Sequence, residues 1–113
     1  MIELKNHFKS WAPKEACGVF TDTFSFIKCK NISTDNDLFC FCPEEYFNIL
    51  RKYKIAAIVH SHVNALNTAS ESDIDACNVM NLPYYIYSYP TMKLNILLPA
   101  LTIGEQSEKK SNI

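Results

Sequence analysis

Apolar residues recur along the chain at two periods, and the switches between them mark the elements. Leu4, Phe8 and Trp11 fall at i, i+4 and i+7, one stripe of a short helix near residues 2–11 that Pro13 forces to end. Cys17 to Thr21 and Phe24 to Lys30 are rich in β-formers on either side of Asp22 and Thr23, which predicts a hairpin. A cluster of turn formers from Asn31 to Asp37 follows. Leu38 to Cys42 then predicts a strand, and Pro43 the first residue of a helix reaching about Tyr53. That helix places Tyr46, Phe47, Ile49, Leu50 and Tyr53 at helical spacing, with Glu44 and Glu45 at its positive end and Arg51 and Lys52 near its C-terminus. Ile55 to Val59 is a continuous apolar run, the mark of a strand covered on both faces. A helix over Glu71 to Met80, stopped before Pro83, and strands over Tyr84 to Tyr89 and Lys93 to Leu98 complete the pattern. The predicted fold class is α/β in character (α+β): a sheet with helices against it and antiparallel hairpins.

Composition narrows the function more than the fold. At 113 residues and 48% hydrophobic, the chain suits one domain with one core. We expect that domain to span residues 1–101, followed by a polar, mobile tail over 102–113. Eleven basic residues against twelve acidic ones offer no cationic surplus for phosphate backbones, so nucleic acid is not expected as a partner. Two glycines, Gly18 and Gly104, are too few and too far apart for a phosphate-cradling loop. The longest apolar run is far short of the ~20 residues that cross a bilayer, and the N-terminus has no apolar signal core, so no membrane partner is expected. Five cysteines, an odd count without a CxxC pair, read as reduced and mostly buried thiols of a cytoplasmic protein, in preference to a disulfide framework or a zinc knuckle.

Chemistry concentrates where the apolar run at Val59 gives way to His60, Ser61 and His62. Residues i and i+2 on an extended strand point to the same side, so the two imidazoles can converge on one ion. Asp73, eleven residues after His62 and in the first turn of the next helix, is a plausible third ligand. Two histidines and a carboxylate, with a fourth position open to water, is the catalytic zinc pattern as opposed to the closed structural one. A plainer reading competes for the same residues. The histidines can be ordinary polar residues leaving a strand, and Ser70-x-x-Asp73 has the form of a capping box.

His60-Ser61-His62-Val63, six further residues, Ser70, two more and Asp73 resembles the JAMM (MPN+) metalloprotease signature, H-x-H-P-x6-S-x2-D. It keeps the spacing and every metal-site residue type, and departs at Val63, which stands in the usual proline position. Upstream, Pro13 to Val19 (PKEACGV) resembles the family segment in which a glutamate shortly precedes a glycine at the start of a strand. The resemblance implies a mixed sheet of the cytidine-deaminase-like kind flanked by helices. It implies one zinc ion per chain on His60, His62 and Asp73, Glu15 as general base, and Ser70 as a hydrogen-bond donor to the developing oxyanion. Glu15 otherwise reads as a solvated loop charge, and Cys17 as a small core thiol in preference to a nucleophile.

The order of features is similar to the JAMM domain of the phage tail assembly protein K group, over roughly residues 5–90. The matching pieces include PKEACGVF, DNDLFCFCPEEYFNIL, IVHSHV with SESDIDAC, and LPYYIYSYP. This implies a metallopeptidase cutting a peptide or isopeptide bond, in the host cytoplasm during phage assembly or in the virion tail. Peptidoglycan cross-bridges, a tail protein or a conjugated small protein are all compatible substrates, and the uncharged loop from Val63 to Ala69, expected to flank the cleft, does not choose among them. Members of the group often continue into a cysteine-peptidase domain, which a chain ending soon after Leu98 is expected to lack. The rival class is an MPN-type structural module of a tail tip that turns nothing over. Retention of all the metal residues favours the enzyme, while Val63 argues mildly for a looser site. The alternating tyrosines Tyr84, Tyr85, Tyr87 and Tyr89 read as a strand of mixed burial in preference to a binding surface.

Overall fold

The computed structural model describes residues 2–35, 38–63 and 67–100, so the tail expected over 102–113 lies outside the described residues. In chain order the elements are α1 (Ile2–Trp11), β1 (Cys17–Thr21), β2 (Phe26–Cys29), α2 (Pro43–Lys52), β3 (Ile55–Val63), α3 (Glu71–Met80), β4 (Tyr84–Tyr89) and β5 (Leu94–Leu97). The five strands form one mixed sheet in the order β2-β1-β3-β4-β5. β3 pairs antiparallel with β1 and parallel with β4, and α3 makes the crossover that a parallel pair requires.

The predicted α+β class holds, and the alternation of strand residues explains how the core divides. Leu4 and Phe8 of α1 pack with Phe20, Ala57 and Val59 on one side of the sheet. Ile49 of α2 and Cys77 of α3 pack with Val19, Ile58 and Ile86 on the other. The tyrosine-rich β4 serves both: Tyr84 joins the α2 and α3 side, whereas Tyr85, Tyr87 and Tyr89 lie against the α1 side.

Four boundaries differ from those predicted, each for a tertiary reason. β3 continues through His60, Ser61 and His62 to Val63, because β4 remains paired with it as far as Val63↔Tyr89. The histidines therefore sit inside a central strand and not beyond its end. Leu38 to Cys42 is not a strand. The Asn31 side chain takes the place of a ladder partner: its amide donates to the Leu38 carbonyl (3.1 Å) and its oxygen accepts from the Cys40 amide (3.0 Å). Only Asn31↔Phe41 forms a bridge there. β2 begins at Phe26 instead of Phe24, since Phe24 turns the chain at φ 60° and donates its amide to the Thr21 carbonyl. β5 spans Leu94–Leu97 and not Lys93 to Leu98, and Met92 in the preceding turn has φ 61°.

The cysteines follow the expectation in part. All five are free; Cys17, Cys29 and Cys77 are buried, but Cys40 is exposed and Cys42 half-buried. Burial pushes the Cys17 thiol far up and that of Cys29 up to about 12, so neither is a ready thiolate.

Gly18 is fixed by close approach. A Cβ there would stand 2.5 Å from the Ile27 carbonyl oxygen and 2.6 Å from the Phe26 ring, and the carbonyl belongs to the paired backbone of β2. Gly18→Ala should therefore cost about 1–3 kcal/mol of stability, read from the urea unfolding midpoint. An unchanged midpoint would mean that β2 yields easily.

Candidate metal centre

The site forms where three segments meet on the α2 and α3 side of the sheet. β3 contributes His60 and His62, which share a face as their spacing predicts, with His60 fully buried and His62 nearly so. Their Nε2 atoms lie 3.3 Å apart. Asp73, also buried, meets both: Oδ1 lies 3.1 Å from His60 Nε2 and Oδ2 3.2 Å from His62 Nε2. Glu15, at the entry to β1, approaches from a further segment, its carboxylate oxygens each 3.9 Å from an imidazole Nε2. Glu15, His60 and His62 bring ligand atoms within 4.8 Å of one another, so this buried group could hold a metal ion.

Asp73 resolves the competition between capping and ligation by doing both. Ser70 caps α3, its Oγ accepting from the Asp73 amide at 3.1 Å. Asp73 returns the bond, Oδ2 accepting from the Ser70 amide at 3.0 Å. The capping box thus locks the carboxylate in the orientation in which it faces the histidines. The Ser70 hydroxyl lies 3.3 Å from Ser72 Oγ at the exposed end of α3.

Electrostatics keep the donors in ligating form. Burial pulls the Asp73 carboxyl up, but hydrogen bonding to His60 and His62, their charge and the Ser70 amide outweigh it and hold Asp73 well below the usual carboxylate range. Burial pushes the His60 pKa below its ordinary 6.5, against the opposing pull of Asp73, which favours a neutral ring with a lone pair. The third histidine, His7, belongs to α1 and donates through Nε2 to the Cys17 carbonyl at 2.9 Å; burial lowers its pKa too.

These shifts set a pH dependence. Unfolded His7 and His60 bind protons below about 6.5 that the folded residues resist, so the unfolded state gains protons and stability falls as pH drops through that value. The urea midpoint of the chelator-treated chain should decline between pH 7.5 and 5.5, and a flat midpoint would refute the assignment.

Three positions escaped the sequence reading. Asn31, taken there as a turn former, donates to the Glu15 carbonyl at 2.7 Å as well as gripping the Leu38 to Cys40 segment, and so ties the glutamate to the chain that crosses the site. Phe39 on that segment stacks on His60 at 4.5 Å. Ser61 Oγ accepts from the Ala16 amide at 2.9 Å, next to Glu15. Among the described residues, His60 Nδ1 is buried without a hydrogen-bond partner, so packing against Phe39 and Tyr84 orients the ring in place of the usual outer bond. Short-range signals at Asn31 and Ser61 exist only as a polar residue beside β-formers.

Over 97 residues the chain is 32% identical to the tail tip assembly protein K of Escherichia phage N15. That is a phage tail protein. The alignment takes in 82% of this chain but 40% of the relative, so the chain spans about two-fifths of the length of the curated protein it matches. No family model matches. Among solved structures, the solution structure of protein DSY2949 from Desulfitobacterium hafniense superposes with a TM-score of 0.67 at 22% identity, covering 85% of this chain and 75% of that one. That likeness is one of fold.

Of the residues expected in the site, His60, His62, Asp73 and Glu15 converge, and Ser70 stands behind Asp73 as its cap. Glu15 is buried and not a solvated loop charge. The loop expected to flank the cleft, Val63 to Ala69, lies partly outside the described residues. No described helix is long and apolar enough to cross a membrane.

Proposed function

We propose that this chain is a zinc-dependent metallopeptidase of the JAMM type, cleaving a peptide or isopeptide amide in the context of phage tail assembly. One observation carries the reading. Three ligands at about 2.0–2.1 Å from one tetrahedral ion stand roughly 3.3 Å from each other, and the His60, His62 and Asp73 atoms stand 3.3, 3.1 and 3.2 Å apart. Glu15, at 3.9 Å from both imidazoles, is set back from that triangle, where a base belongs and a ligand does not.

In this reading His60, His62 and Asp73 hold the ion. A bound zinc supplies Lewis acidity that activates water and polarises the substrate carbonyl. Glu15 takes the proton from the attacking water and passes it to the leaving amine. Ser70 turns its hydroxyl towards the oxyanion while its lone pair keeps the α3 cap. Burial around His60 excludes bulk water and strengthens each of these interactions.

The similarity to a tail tip assembly protein supports the phage tail setting, with tail proteins as partners, and equally admits a structural module that hydrolyses nothing. Metal content separates the two. The protein purified without chelator or affinity histidines should carry about one zinc per chain, and His60→Ala and Asp73→Ala should each lose it. A folded wild type that takes up no supplied zinc would exclude the peptidase and leave the scaffold.

A further inference from the structure

Beside the histidines lies a cleft of about 350 Å³ that the proposed chemistry does not use. Its walls are the segment Leu38 to Phe41 and the α3 residues Ala76, Val79 and Met80, and it shares Glu15 and Asp73 with the site. Phe39 belongs to both, lining the cleft and stacking on His60. Apart from Glu15 and Asp73, its lining residues carry no charge, so a charged or strongly polar occupant would be desolvated without a partner.

The geometry points to this cleft as a specificity subsite that takes the apolar or aromatic side chain of the substrate residue next to the scissile amide. The inference rests on the metallopeptidase reading for its location but not for its test. A backbone amide held between Glu15 and the histidines has the cleft as its apolar neighbour on the α3 side, and the size sits at the lower end of the ~300–1,000 Å³ of small-molecule pockets. Phe39 and Phe41, whose rings lie 5.4 Å apart at 80°, offer edge and face to an incoming aromatic ring. Asn31 holds the wall in place through Leu38 and Cys40 and holds Glu15 through its carbonyl, so subsite and proposed base keep a fixed relation.

Binding of small capped amides to the chelator-treated full chain tests this without zinc or turnover. In an NMR shift titration, N-acetyl-phenylalanine amide should bind about tenfold or more tightly than N-acetyl-glycine amide, with shifts at Phe39, Ala76 and Val79. Ala76→Phe fills the cleft and should erase the difference. Val79 is 84% exposed, so Val79→Glu leaves the fold intact even if Ala76→Phe does not; it should weaken the phenylalanine probe severalfold by placing a carboxylate at the mouth. Equal binding of the two probes, no detectable binding, or a preference that survives Val79→Glu and a folded Ala76→Phe would overturn the subsite. Loss of zinc binding in the metal assay would strike the peptidase reading alone, since neither probe requires the ion.

Discussion

Glu15→Gln should retain about one zinc per chain and lose amide hydrolysis by about 10²–10⁴-fold, the usual contribution of a positioned base. The substitution keeps the shape of a side chain that is 7% exposed and removes its capacity to accept a proton. Its oxygens stand 3.9 Å from His60 and His62, further than those of Asp73, which is why the ion should stay when Glu15 becomes neutral. Metal analysis and cleavage of a mixed peptide library, run side by side, check both halves. Wild-type cleavage by the variant would refute the base. Loss of zinc would instead make Glu15 a ligand, which the proximity of Glu15, His60 and His62 permits.

Phe8→Ala should be among the most damaging substitutions in the core, at about 3–5 kcal/mol. Phe8 is fully buried, its ring 5.6 Å from that of Tyr87, and with Leu4 it forms the apolar stripe by which α1 docks on the sheet. α1 has ten residues, below the ~12–15 at which an isolated helix is even marginal in water, so its existence depends on that docking. Against a total stability of about 5–15 kcal/mol, the loss should move the urea midpoint strongly and cost helical signal. Ile2→Ala, at a position 81% exposed on the same helix, should change the midpoint by less than about 0.5 kcal/mol equivalent. Similar losses in both variants would mean that α1 is held by something other than its apolar stripe.

The two predictions draw on different parts of the sequence. Phe8 was legible because helical periodicity is local: Leu4, Phe8 and Trp11 declare a face whatever packs against it. α3 and β4 were legible for the same reason, their start and stop signals lying within the segment itself. The role of Glu15 was carried only by a resemblance, because its burial comes from Asn31 and β3, distant in the chain.

What the sequence determined by itself was the set of elements and the shared face of His60 and His62, both consequences of backbone periodicity, together with the capping box from Ser70 to Asp73, which needs only a spacing of three. The tertiary structure decided the rest. Pairing with β4 carried β3 past the point where hydrophobicity fades, the Asn31 amide drew Leu38 to Cys42 out of the sheet, and convergence of β1, β3 and α3 set Asp73 and Glu15 against the two imidazoles. Those outcomes depend on contacts between residues far apart in the chain, and no local pattern of apolar and polar positions encodes the partner that a polar side chain will meet.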